Sequence, residues 1–200
     1  KLPEPRVKGE VTYAKHVAPI LQARSQECHR PGQSGPFSLL TYDKAEAWSA
    51  TIAEVIRDER MPPWHADPRH GRFMGERRLS TQEKDTLLAW IKQGCPKGDE
   101  KDMPPPAKFI DGWSIGKPHV VLQTAEEFKV PAKGVLPYKQ FIVDPGFKEE
   151  KWVQAAEARP GNRSVVHHII VYILEPGRIT LYDRDGVAST LVGWAPGDMP

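Results

Sequence analysis

The apolar positions of this chain change period once. In the first half they recur every three or four residues, the spacing of one face of an α-helix. Tyr13, Val17, Ile20 and Leu21 predict an amphipathic helix over 11–24, with Pro19 in its first turn, where a missing N–H costs nothing. Trp48, Ile52, Val55 and Ile56 predict a buried stripe on a second helix over 43–58, with Asp43 as its N-cap. Leu87, Leu88 and Ile91 mark the third, opened by the Ser80-Thr81-Gln82-Glu83 capping box and closed by Gly94. Phe37, Leu39 and Leu40 lie between the first two helices and are candidate pocket walls.

Beyond Pro104-Pro105-Pro106 the period falls to two. Segments 119–122, 127–130, 139–143, 151–156 and 165–174 read as strands. Turn signals separate them at Ala132-Lys133-Gly134, Pro145-Gly146, Pro160-Gly161-Asn162 and Glu175-Pro176-Gly177. The expected fold class is α + β in two domains. A small all-α domain spans 1–100, a stiff Pro-rich linker 101–108, and an antiparallel β-sandwich or jelly roll 109–200.

Composition narrows this picture only a little. Twenty prolines argue against a simple helical bundle. The 28 basic and 26 acidic residues nearly balance and form no single-sign block, so charge makes no case for nucleic acid or an anionic membrane. No apolar run approaches the length of a membrane span. Two cysteines do not make a disulfide framework. The chain opens on Lys1 with no signal peptide, which reads as a mature or trimmed form.

The candidate chemistry sits in two places. Ser25-Gln26-Glu27-Cys28-His29 is a C-x-x-C-H haem-attachment pattern with serine in place of the first cysteine. Cys28 is left to form one thioether and His29 to become an axial iron ligand. A bond between Cys28 and Cys95 is the competing use of the thiols. In the second half, His167 and His168 stand side by side in an apolar run. Imidazole suits copper and zinc, but neighbours on a regular strand point to opposite faces, so both reach one ion only through a bulge or strong twist. The alternative sends one ring to the core and the other to the surface.

Two resemblances extend these readings. Residues 11–99 resemble a class I-type c cytochrome, as in the short cytochrome domains of bacterial oxidoreductases. The matching features are Tyr13-x-x-x-Val17-x-Pro19-Ile20-Leu21, Cys28-His29-Arg30-Pro31-Gly32, Met61-Pro62-Pro63-Trp64-His65 and Leu79-Ser80-x-x-Glu83 to Gly94. The resemblance implies a cytochrome c-like fold and haem c held by one thioether at Cys28. It also implies His29 as the proximal ligand and Met61 as the distal one, with His65 as the alternative. Histidine–methionine ligation leaves no open position and suits electron transfer.

Residues 109–200 resemble the N-terminal half of the copper type II, ascorbate-dependent monooxygenases, the peptidylglycine α-hydroxylating and dopamine β-monooxygenase family. The match runs through Gly112-Trp113-x-x-Gly116-Lys117-Pro118, Tyr138, and Trp152-Val153-Gln154-x-x-Glu157-x-Arg159-Pro160-Gly161-Asn162-Arg163. It ends in Val166-His167-His168 and Gly193-Trp194-Ala195-Pro196-Gly197. The resemblance implies a copper ion on His167 and His168. No histidine follows His168, so the third ligand and the oxygen-binding second copper site of that family are absent, and Met199 reads as a loop residue.

Together these imply the electron-transfer portion of an extracytoplasmic haem/copper monooxygenase, inactive alone and located in the periplasm or secreted. Haem would pass single electrons to a His-ligated copper. The implied partners are a redox protein or small reductant and a missing C-terminal copper domain, with no nucleic acid and no membrane span. The alternatives are a c-type cytochrome carrying a non-catalytic β-sandwich for docking, and a structural protein with a Cys28–Cys95 disulfide and no haem.

Overall fold

The computed structural model describes residues 7, 9–110, 112–178, 180–183 and 186–196. They fall into two compact units, Lys1–Phe109 and Ile110–Pro200.

The first unit is helical. A π-helical turn, Tyr13–Val17, leads into α1, Ala18–Arg24. Pro19 lies in the first turn of α1, where its missing N–H breaks no bond within that helix. α2, Tyr42–Ala47, and α3, Ser49–Arg57, replace the single helix expected over 43–58. The break is at Trp48, whose indole stacks outward on Phe37 at 4.0 Å and 7° and does not enter the core stripe. The N-cap is Thr41, its side chain accepting from the Lys44 N–H, and Asp43 sits in the first turn.

α4, Thr81–Lys92, has the complete capping box. The Ser80 hydroxyl accepts from the Glu83 N–H at 3.1 Å, and the Glu83 carboxylate accepts from the Ser80 N–H at 2.7 Å. Burial opposes the Glu83 charge, but these bonds and the Arg24 guanidinium hold its carboxyl below the usual range. Beyond α4 the chain turns through two left-handed residues, Gly94 and Cys95. That turn carries Pro96 and Lys97 back to the entry of the π turn, where their carbonyls accept from the Tyr13 and Ala14 N–H groups at 2.8 and 3.0 Å.

The core forms around Trp90, which has no exposed surface and whose indole N–H donates to the Pro96 carbonyl at 3.1 Å. Tyr13 lies 6.0 Å from it, ring to ring, and Tyr42 packs edge-on against Tyr13 at 5.4 Å. Val11, Val17, Leu21, Leu39, Ile52, Ile56, Leu79 and Leu87 complete the buried cluster, while Leu88 and Ile91 pack at its margin. The Pro-rich stretch after a short 3-10 turn, Glu100–Asp102, runs along this unit, with the Gln22 side-chain amide donating to the Pro105 carbonyl at 3.0 Å.

The second unit corrects the expected fold class. Of the strands expected there, only the last has a ladder: β1, Ile169–Ile173, pairs antiparallel with β4, Ser189–Trp194. The register shifts between Val171 and Tyr172, leaving Leu191 as the extra residue of a bulge. A two-residue pair, β2, Tyr182–Asp183, with β3, Gly186–Val187, sits between them in sequence. Segments 119–122, 127–130, 139–143 and 151–156 carry no strand, and their large apolar residues stay exposed; Ile142 keeps 75% of its surface in contact with solvent.

The all-α cytochrome c-like domain followed by a β-sandwich or jelly roll is therefore overturned. Among the described residues there are four α-helices and two two-stranded sheets. The physical reason is that alternation marks an extended backbone, whereas a sheet also needs a paired edge and a face to bury. No helix among the described residues is long and apolar enough to cross a membrane. The expectations on Gly197 and Met199 lie outside the described residues.

Two outcomes follow for the first unit. Trp90→Ala should cost about 3–5 kcal/mol in denaturant unfolding, because it empties the centre of the core. Glu83→Gln should weaken the fold at neutral pH. Because the native carboxyl is held low, its contribution is full above the unfolded value and is lost as pH falls through the folded one. The two proteins should therefore converge in stability only once the pH has fallen below the usual carboxylate range, read from denaturant unfolding across a pH series.

Candidate functional site

The candidate haem turn is built on the end of α1. The Leu21 carbonyl accepts from both the Ser25 and Gln26 N–H groups at 2.9 Å, which stops the helix. The Ser25 carbonyl then accepts from the Cys28 and His29 N–H groups at 3.1 and 2.9 Å. Ser25 thus organises the turn through its backbone and leaves a single thiol at the site. Cys28 is half-buried and unbonded, and Cys95 is a buried free thiol, so the Cys28–Cys95 disulfide is absent.

The loop 30–39 folds back over this turn. The Gly35 N–H donates to the Cys28 carbonyl at 2.9 Å, and the Leu39 N–H donates to the His29 carbonyl at 2.8 Å. Gln26, the one buried polar residue among those described, donates from its amide to the Leu39 carbonyl at 2.9 Å and closes the loop. Gly35 has no room for a side chain: a Cβ there would stand 2.6 Å from the Cys28 oxygen and 2.9 Å from the His29 ring.

The result is a fixed imidazole. His29 Nδ1 lies 3.1 Å from the Phe37 carbonyl oxygen, which only accepts, so Nδ1 carries the proton and Nε2 the lone pair. The Phe37 ring packs on the His29 ring at 4.8 Å and in turn on Trp48. Burial lowers the His29 pKa, partly countered by the Phe37 bond, and the ring is neutral at physiological pH. Arg30 pairs with Glu27 at 3.0 Å and lays its guanidinium over the Phe109 ring at 4.2 Å.

Met61 and His65 lie on the segment between α3 and α4. Met61 is 40% exposed, and its N–H donates to the Val55 carbonyl at 3.2 Å. His65 is exposed. Neither takes part in a described side-chain hydrogen bond or ring contact with the His29 turn. The neighbouring Trp64 indole N–H is buried and has no acceptor.

In the second unit, His167 and His168 precede β1, so strand alternation does not govern them. Their rings lie 5.2 Å apart at 72°, and their two Nδ1 atoms stand 2.9 Å from each other. Two nitrogen ligands about 2.0–2.1 Å from one metal and about 90° apart are separated by about 2.9 Å. The same contact is an N–H···N hydrogen bond when one ring carries its proton on Nδ1. The Tyr138 ring lies 5.2 Å from that of His168. Among the described residues no group of three or more histidine, cysteine or acidic side chains gathers as a metal site, so this pair supplies two ligands and no third.

The sequence pointed to Cys28, His29, Met61, His65, His167 and His168, whereas Gly35, the Phe37 carbonyl and Gln26 emerge only from the fold. The close approach of Gly35 to His29 is a tertiary fact that no local pattern announces. Gly35→Ala should displace the loop and break the bond at Nδ1, and NMR should show the His29 tautomer become mixed while the other helices keep their signals. Comparison with models of protein families, with curated proteins and with solved structures finds no match.

Proposed function

We propose that this chain is an electron-transfer protein that holds haem c by a single thioether at Cys28, with His29 as axial ligand, and copper by His167 and His168. Its place is the electron-transfer portion of an extracytoplasmic copper monooxygenase. The observation that carries the reading is the Nδ1–Phe37 hydrogen bond. It leaves Nε2 as the only free lone pair of His29, beside a free thiol one residue away. Metal-bound histidines commonly have their other nitrogen held by a backbone carbonyl in this way.

The residues present fit the groups they would hold. His29 is neutral and oriented, and Cys28 is partly accessible and unbonded. The Nδ1 spacing of His167 and His168 matches two adjacent positions on one ion. Met61 would supply a second iron ligand, with His65 as its alternative; a methionine thioether among the ligands would raise the reduction potential. When bound, haem iron and copper each supply one-electron exchange. The chain's own part is to fix the imidazoles, present one thiol and keep the His29 ring walled by Phe37. Covalent haem is attached outside the cytoplasm, which puts the protein in the periplasm or beyond. Its proposed partners are a redox protein or small reductant and a copper domain that activates oxygen.

The test is retention of haem after acid–acetone extraction of protein made in a periplasm with c-type haem maturation. The wild type should keep its haem, and Cys28→Ala should release it. A wild type stripped by the extraction would contradict the thioether. His167→Ala with His168→Ala should reduce copper content to background and leave the haem unchanged.

A further inference from the structure

Two arginines of the run before the histidine pair lie over tryptophan rings, Arg159 over Trp113 and Arg163 over Trp194. Glu157 has a side chain only 5% exposed. Its Oε2 accepts from the Ser114 N–H at 2.7 Å and from the Ser114 hydroxyl at 2.9 Å. The Arg159 guanidinium lies 5.3 Å from the centre of the Trp113 ring. Asn162 then makes a turn. Its carbonyl accepts from the Val165 and Val166 N–H groups at 3.4 and 3.3 Å, and its side-chain oxygen accepts from the Ser164 N–H at 3.0 Å. Arg163, inside that turn, sets its guanidinium over the Trp194 ring, 5.6 Å from the centroid.

Trp194 is the buried last residue of β4, and its ladder partner is Ile169, the first residue of β1. The span 164–168 is therefore held at both ends by one residue. Arg163 grips the face of the Trp194 indole, and Ile169 pairs with the Trp194 backbone. The two histidines are the last two residues of that span. Consecutive side chains converge on one point only if the backbone is kept from the regular extended form. Closing the span at both ends removes the extended alternative.

We propose that Arg163, seated on the indole of Trp194, is the positioning residue that keeps His167 and His168 in their converging geometry. The proposal rests on the copper reading above and adds to it a residue that does not touch the metal. Arginine suits the task because its planar, permanently charged head stacks on aromatic faces, and tryptophan is the best such face. Without the clamp, 164–168 relaxes toward a continuation of β1 and the rings part.

Copper(II) titration of the full chain against a competing chelator tests this, with NMR of the metal-free protein to read the NOE between the two imidazole rings. Arg163→Ala should lose copper affinity by about tenfold or more, in the range seen for residues that orient metal ligands. The same variant should lose the inter-ring NOE while keeping its β1–β4 signals. Arg163→Lys, which keeps the charge but loses the planar head, should fall between Arg163→Ala and the wild type, and affinity equal to that of Arg163→Ala would show that the charge contributes nothing. A folded Arg163→Ala with wild-type affinity and an intact NOE would overturn the proposal. Should that variant fail to fold, Trp194→Phe decides: a weaker aromatic face should lower affinity about threefold, and unchanged affinity and NOE would overturn it. A wild type that takes up no copper overturns the copper reading, and the clamp then stands or falls on the NOE alone.

Discussion

The first unit depends on one backbone oxygen. The Pro96 carbonyl accepts from the Trp90 indole at 3.1 Å and from the Tyr13 N–H at 2.8 Å, and so ties the end of α4 to the start of the helical path. A buried indole N–H without a partner would cost about 1–3 kcal/mol, and the π turn would begin with a loose donor. With both satisfied, Trp90 and Tyr13 fix the position of α1. The end of α1 in turn fixes Ser25, whose carbonyl collects the Cys28 and His29 N–H groups. The chemistry-bearing turn is thus held in place through Trp90 and Pro96, more than sixty residues away in sequence.

The two imidazole sites differ in what orients them. At His29 a backbone carbonyl fixes the protonated nitrogen, and Gly35 allows the loop close enough for that carbonyl to arrive. At His167 and His168 the rings meet each other, and their approach is set by the turn at Asn162 and the return to β1. The first arrangement selects a tautomer before any ligand is present. The second sets two Nδ1 atoms within hydrogen-bonding distance of each other, a contact that a cation bound to both would replace.

Local chemistry was legible in the sequence; what depends on distant partners was not. The capping box at Ser80, the stop at Gly94 and the place of Pro19 are short-range rules, and the structure keeps them. Trp48 broke its helical stripe because Phe37, brought in by the loop, offered a face to stack on. The role of Gly35 was hidden because its neighbours Cys28 and His29 are brought near only by the fold. In the second half, Val120, Phe128, Phe141 and Val153 alternate as strands do, yet each stays exposed and unpaired in a ladder. Period two reports which side chains share a face; it does not supply the neighbouring strand. The Glu157, Arg159 and Arg163 run read as a signature of a family, and the structure shows it as a set of backbone caps and aromatic clamps.

The central claim is one thioether at Cys28 with His29 on the iron, and the most direct measurement is a pyridine haemochrome spectrum of the purified, dithionite-reduced protein. The position of the α-band counts the vinyl groups that remain unreacted. A band characteristic of one saturated and one free vinyl is the expected result. A band of the type given by haem with both vinyls free, or the absence of any Soret absorption from protein matured in a c-type periplasm, would contradict the claim.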